Sequence, residues 1–235
     1  MRLIWLICIC ILFLNCEDKH SKKKKKVEIN QTTTEQKQVV KDTIEDAKKT
    51  YPVLDGLQNA MEFFLEYDKH NKENKVRLTT DFGTIDILLF NETKFHRANF
   101  IYLTKRGYFN GTQFYRVIDN YIIQGGNSDD VKTAKKRDKI GKYLLPTDTN
   151  RGYTHERGVI SMPSSDIENP YKLASPYEFF IVQQHGGSHF LDGDYTVFGK
   201  VIRGMDVVDK IAAVKTDDGD WPLHNVYIRK AEIIN

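Results

Sequence analysis

FYRVIDNYIIQGGN, residues 114–127, is the stretch that decides the fold. It alternates like a barrel strand, yet it sets Arg116 directly after two aromatics. It also ends on Gln124-Gly125-Gly126, where a buried strand gains nothing from glycine. A lone arginine on a strand is usually a rim cation. Here the pieces together read as a catalytic face on a hairpin.

The flanking sequence supplies the rest of a β-fold. KVRLTTDFGTIDILLF (75–90) predicts a hairpin, with Val76, Leu78 and Thr80 alternating, Asp81-Phe82-Gly83 turning, and Ile85, Ile87 and Leu89 alternating again. A helix over 95–106 follows, with Thr93 expected to cap it and Gly107 to end it. Asn110-Gly111 turns the chain into the opening stretch. Downstream, GVISM (158–162), EFFIV (178–182), YTVFGKV (195–201) and NVYIRKAEI (225–233) are short β-rich runs. Gly204 opens a second helix, with Met205, Val208, Ile211 and Ala212 on one side. Short strands, regular turns and two helices predict one closed barrel over 76–235, capped by helices. Ahead of it, Leu57, Met61, Phe64 and Leu65 predict a lead-in helix within 51–75.

The N-terminus differs. Met1-Arg2 precedes an apolar run from Leu3 to Leu14, a length that suits a signal-peptide core better than a membrane span. The run ends in LFLNC, and Cys16 is followed by Glu17-Asp18 and lysines. This resembles a bacterial lipoprotein signal (1–15), although Asn15 stands where a small residue is usual. The resemblance implies lipidation at Cys16 and anchoring of the exported protein to a membrane of the cell envelope. An uncleaved anchor, or a cleavable signal with an incidental cysteine, stays open. Residues 16–50 lack Gly, Pro and aromatics and read as a disordered tether.

Composition excludes several classes. Of 235 residues, 35 are Lys or Arg and 32 Asp or Glu, so the charge of +3 gives no reason to expect nucleic acid. All three cysteines lie in the first sixteen residues, which leaves no disulfide framework or Cys-zinc site beyond them. His185 and His189 have helical metal spacing, but Gly186-Gly187 between them makes a loop, and no metal is expected. Ser161, Ser164, His155 and Asp192 invite a triad without a nucleophile elbow or oxyanion geometry. The default oligomeric state is a monomer.

In chain order, DFGTIDILLF, FHRANF, FYRVIDNYIIQGGN, GVISM, EFFIV and FLDGDYTVFGKVIRGMDVVDKI, closing on NVYIRKAEI, resemble a cyclophilin-type peptidyl-prolyl cis–trans isomerase. The resemblance covers 76–235 and implies a mainly β fold, an eight-stranded antiparallel barrel with a helix at each end. It implies isomerisation of X-Pro bonds in proline-containing polypeptides, without cofactor or metal. Arg116 is then the catalytic donor and Gln124 its partner. Tyr121, Ile122, Phe180 and Leu191 would line the proline pocket, with Phe179 packed behind. Tyr115, Glu178, Phe190 and Tyr195 would complete the substrate-binding surface, and backbone at Pro163 and Ser164 would pair with an extended substrate. Tyr115 and Tyr195 stand where the family has histidine, Tyr121 where it has phenylalanine, and Glu178 where it commonly has glutamine. Phe190 replaces a tryptophan, which implies weak ciclosporin binding. The alternative from another class is a cyclophilin-like module or holdase that binds proline segments with little turnover.

Overall fold

The computed structural model describes residues 50–164 and 169–235; the expectations for the signal segment, Cys16 and the tether to residue 49 lie outside the described residues. A two-residue strand β1 (Leu54–Asp55) leads into helix α1 (Gly56–His70). The hairpin β2 (Lys75–Thr80) and β3 (Gly83–Leu89) follows, then α2 (Lys94–Lys105). Next come β4 (Gln113–Ile118), β5 (Ile122–Asn127), α3 (Val131–Ile140), β6 (Gly141–Lys142), β7 (Val159–Ser161) and β8 (Phe179–Val182). A 3₁₀ turn (His189–Leu191), β9 (Val197–Arg203), α4 (Met205–Ala212) and β10 (Val226–Ile233) complete the chain.

Eight strands close into a barrel in the order β10-β2-β3-β9-β7-β8-β5-β4, every neighbouring pair antiparallel. The seam closes where Val226 and Tyr227 pair with Phe114 and Gln113. Closure removes the free strand edges on which a sheet of this size would aggregate.

Strand alternation sorts the apolar side chains into two clusters. Phe114, Val117, Ile123, Phe179 and Ile181 belong to the main core. Ile122, Phe180, Val182, Leu191, Val159 and Val197 form a second cluster. Successive residues of β5 and of β8 thus fall on opposite faces of one wall, as period two requires. This resolves the Phe179-Phe180 pair: the first is fully buried in the core, and the second supports the outer face.

α1 belongs to the fold. Leu54, Ala60, Phe64 and Tyr67 join the main core. Arg97 of α2, 2% exposed, donates to Asp68 of α1 and, at 3.1 Å, to the Glu73 carbonyl. The buried face of α1 is Ala60, Phe64 and Tyr67, not the expected set with Leu65, which is 44% exposed. The reason is aromatic packing, because Tyr51, Phe63, Phe64 and Tyr67 all pack around Tyr102 with centroids 5.2–5.8 Å from it.

Two other expectations change. Thr93 does sit at the α2 N-cap but makes no side-chain cap; its Oγ1 donates to the Phe90 carbonyl at 3.3 Å. Between β5 and β7 lies a helix beyond those expected, α3, capped by Asp130, whose Oδ1 accepts from the Thr133 amide at 2.6 Å. It buries only Thr133 and Ile140 and is held by polar contacts instead. Lys136 donates to the carbonyls of Gly107, Tyr108 and Asn110 at 3.1, 3.0 and 2.6 Å, which ties α3 to the turn that follows α2. Among the described residues, no helix is long and apolar enough to cross a membrane.

His96 on α2 is fully buried and makes no hydrogen bond through either ring nitrogen to the described residues. Burial lowers its pKa from the ordinary 6.5 to about 4, against a small upward pull from Asp148. The unfolded chain therefore takes up this proton first. Stability is complete above about pH 6.5 and falls as pH drops toward about 4. Roughly 3 kcal/mol is lost, at about 1.4 kcal/mol per pKa unit. Denaturant melts of wild type and His96→Phe between those pH values should diverge by that amount; parallel curves would contradict the assignment.

Candidate active site

The opening stretch contains a register slip that explains its composition. Across β4 and β5, Phe114 pairs with Gly125, Arg116 with Gln124, Val117 with Ile123 and Ile118 with Ile122. Tyr115 has no opposite residue, and Gly126 is likewise skipped between the Gln113–Asn127 and Phe114–Gly125 pairs. Unbroken alternation would put Arg116 on the same face as Phe114, inside the barrel. One extra residue in β4 inverts the phase, so Phe114 and Val117 point into the core and Arg116 stands outside, opposite Gln124.

The glycines make this slip sterically possible. A Cβ on Gly125 would stand 2.9 Å from the Phe114 ring. Gly126 has φ +97, and a Cβ there would lie 2.3 Å from the Tyr177 carbonyl oxygen. The Gly126 carbonyl accepts from the Tyr108 hydroxyl at 2.7 Å, which pins the skipped residue.

On the outer face lies a cavity of about 270 Å³ lined by Arg116, Tyr121, Ile122, Gln124, Pro163, Ser164, Phe180, Leu191 and Tyr195. Nine of the residues picked from the sequence therefore meet in one place. The floor is apolar, formed by Ile122, Phe180 and Leu191. Tyr195 meets Phe180 edge-on at 6.0 Å, and Phe190, 68% exposed, stacks on Tyr121 at 5.6 Å. Arg116 enters from one side; its Nε donates to Asp220 Oδ2 at 3.3 Å. No acceptor among the described residues takes its Nη groups. Asp220 holds a left-handed backbone (φ 64), and its carbonyl accepts from the Val117 amide at 2.9 Å, so the 217–221 turn is fastened to β4. A larger cavity of about 620 Å³, between α1, α3 and the 175–177 segment, is lined by none of these nine residues.

Four sequence-picked residues stand elsewhere. Phe179 lies inside the barrel, and Phe190 is on the rim. Tyr115 and Glu178 are behind Gln124, not in the cavity. The bulge turns Tyr115 along the strand, so that its hydroxyl donates to Glu178 at 3.0 Å and accepts from Gln124 Nε2. Burial first, and the Glu178 carboxylate second, push the Tyr115 phenol well above its ordinary range. In the backbone expected to pair with substrate, Pro163 O accepts from the Ser175 amide at 2.8 Å, and Ser164 bridges Ala174. The side chains of Pro163 and Ser164 still line the cavity.

The triad-like set does align. His155 approaches Asp192 at 2.7 Å and Ser161 at 3.2 Å. Ser161 is fully buried and donates its proton to the Thr196 carbonyl at 2.7 Å, so it is no nucleophile. The set instead stiffens the floor, with the His155 ring stacked on Phe180 at 6.0 Å. Burial holds the His155 pKa below its usual value despite Asp192. Among the described residues, no cluster of His, Cys, Asp or Glu could hold a metal ion. Asp220 and Arg137 were missed from sequence; both come from segments without periodicity.

Gly126→Ala should lower stability by about 1–3 kcal/mol, because it combines a left-handed backbone with the Tyr177 contact. Urea denaturation checks this, and an unchanged midpoint would contradict the steric account.

Residues 75–233 match the family model described as cyclophilin type peptidyl-prolyl cis-trans isomerase/CLD. The chain is 35% identical over 169 residues to a Rhizopus delemar protein named peptidyl-prolyl cis-trans isomerase-like 2, covering 71% of this chain and 30% of that longer one. It is 37% identical over 147 residues to an Acinetobacter baylyi peptidyl-prolyl cis-trans isomerase, covering 60% of this chain and 73% of the relative. A solved Cryptosporidium parvum cyclophilin-type isomerase, crystallised in the presence of the dipeptide Ala-Pro, superposes with a TM-score of 0.57 at 26% identity, over 68% of this chain and 99% of that one. With its barrel, its Arg116–Gln124 pair and these matches, the chain belongs to the cyclophilin-type peptidyl-prolyl cis–trans isomerase family.

Proposed function

We propose that the protein accelerates X-Pro isomerisation in exported polypeptides as they fold, while held to the cell envelope as a monomer through lipid on Cys16. The observation that carries the catalytic part is Arg116, paired across the strands with Gln124 at the edge of an apolar cavity. The barrier to peptide rotation is about 18–20 kcal/mol and comes from amide resonance. At X-Pro the two isomers differ by only about 0.5–1 kcal/mol, so a catalyst need only stabilise the twisted amide. No bond is broken.

The proline ring sits on Ile122, Phe180 and Leu191, under Tyr121. Removing the ring from water fixes one half of the rotating bond and leaves the preceding residue to turn. Twisting returns the lone pair to the proline nitrogen and makes it an acceptor. The Nη donors of Arg116 meet that nitrogen or the carbonyl before it, and their permanent charge makes the contact stronger in the transition state than in either ground state. Gln124 holds the substrate backbone. The Ala-Pro dipeptide named for the Cryptosporidium parvum structure supports a small proline-containing ligand for this fold.

Arg116→Ala should reduce kcat/KM in a protease-coupled assay by about 10²-fold or more, the scale of one transition-state donor. Stability should shift by no more than about 0.5 kcal/mol, since the side chain is 41% exposed. An unchanged rate would refute the assignment and leave a proline-segment binding module as the reading.

The anchor rests on the apolar run ending at Cys16 and the polar residues after it. Metabolic labelling with a fatty-acid analogue should mark wild type and vanish in Cys16→Ala; label retained by that variant would refute the site.

A further inference from the structure

Behind the cavity runs a chain of hydrogen bonds with a fixed direction. Its far end is on α3, where Arg137 donates from Nη2 to Glu178 Oε1 at 3.3 Å and from Nε to the Tyr108 hydroxyl at 2.9 Å. Asn127 donates to the same Glu178 oxygen at 3.0 Å. The other oxygen, Oε2, accepts from Tyr115 at 3.0 Å. An ionised carboxylate can only accept, so the single Tyr115 proton is committed to Glu178. The Tyr115 oxygen can then only accept, and Gln124 Nε2 fills that role. A glutamine amide carries donors on one branch and an acceptor on the other, and the network decides which way it faces. With Nε2 committed to Tyr115, Oε1 is turned away from it, on a side chain that lines the cavity opposite Arg116.

We propose that Glu178, Tyr115 and Arg137 are positioning residues for the isomerase site: the carboxylate of Glu178 sets the direction of the chain and holds the Gln124 amide with its carbonyl presented to the cavity. There that oxygen accepts from a substrate backbone N–H or an Arg116 Nη. A glutamine at 178 would keep the shape of the network and lose its direction, because an amide both donates and accepts. Then Tyr115 could donate to Gln124 Oε1, and the amide would face the substrate with its NH₂. Three local features serve the one network: the bulge that aims Tyr115, the carboxylate at 178, and a helix that carries Arg137 to it. Glu178 is only 17% exposed and Arg137 29%, so the pair is shielded enough for its charge to matter.

The inference rests on reading the cavity as an isomerase site, and a double-mutant cycle on the full-length protein separates the two. Tyr115→Phe and Glu178→Gln should each lower kcat by about 5–10-fold, the scale of one hydrogen bond, with KM changed less than about two-fold. In a Gln124→Ala background neither should lower kcat further, because nothing remains to position. Equal losses in both backgrounds, or no loss in either variant, would overturn the relay while leaving the isomerase reading intact. A wild type without turnover would overturn the isomerase reading instead.

A second readout does not depend on turnover. The Gln124 side-chain NH₂ signals, assigned by their loss in Gln124→Ala, should exchange slowly in wild type. In Tyr115→Phe and Glu178→Gln the exchange should be at least about ten-fold faster. Exchange unchanged by both substitutions overturns the relay.

Discussion

The site depends on the unpaired residue Tyr115 in β4, matched by the skipped Gly126 in β5. Strand side chains alternate with no freedom of phase, so a wall that buries Phe114 would also bury its second neighbour, Arg116. An uncompensated guanidinium inside this barrel would face Phe179 and Phe100, with no acceptor to pair it. The slip places the charge outside and keeps the aromatic inside. The cost is a left-handed residue packed against the Tyr177 carbonyl, which only glycine tolerates.

The remaining structure follows from this wall having two apolar faces. The inner face places Phe114, Ile123, Phe179 and Ile181 in the main core, whose burial stabilises the barrel. The outer face carries the smaller cluster of Ile122, Phe180, Val182 and Leu191, left open under Tyr121 and Tyr195. The packed interior thus supports a small apolar floor, with a donor held at its edge. The His155, Ser161 and Asp192 set, its first two members buried, belongs to that support, since His155 stacks on Phe180 and holds Asp192, the residue following Leu191.

Much of this was legible in the residues themselves. Arg116, Gln124 and Gly125-Gly126 stand out in the opening stretch, whereas the slip at Tyr115 does not, because the stretch reads as plain alternation. The barrel strands and α2 were readable from turns and alternation. What was not readable depended on polar contacts between distant segments. α3 has almost no apolar face and is held by Lys136 on three carbonyls and by Arg137 on Glu178, so periodicity carried no signal, although Asp130 and Gly141 bracket it as caps. The resemblance implies Tyr115 and Glu178 at the substrate; the bulge takes Tyr115 behind Gln124, and Glu178 answers it. For α1, the choice between Leu65 and Tyr67 was made by ring packing around Tyr102, which spacing alone does not encode.

The central claim is that this outer face turns the X-Pro bond and does not merely bind it. Two-dimensional exchange NMR on an Ala-Pro peptide with a small fraction of the protein tests this directly, because uncatalysed isomerisation takes tens to hundreds of seconds and gives no cross-peaks on a sub-second mixing time. The account predicts cis–trans exchange cross-peaks that grow with protein concentration. Peptide signals that shift on binding, with no exchange between the isomers, would contradict it.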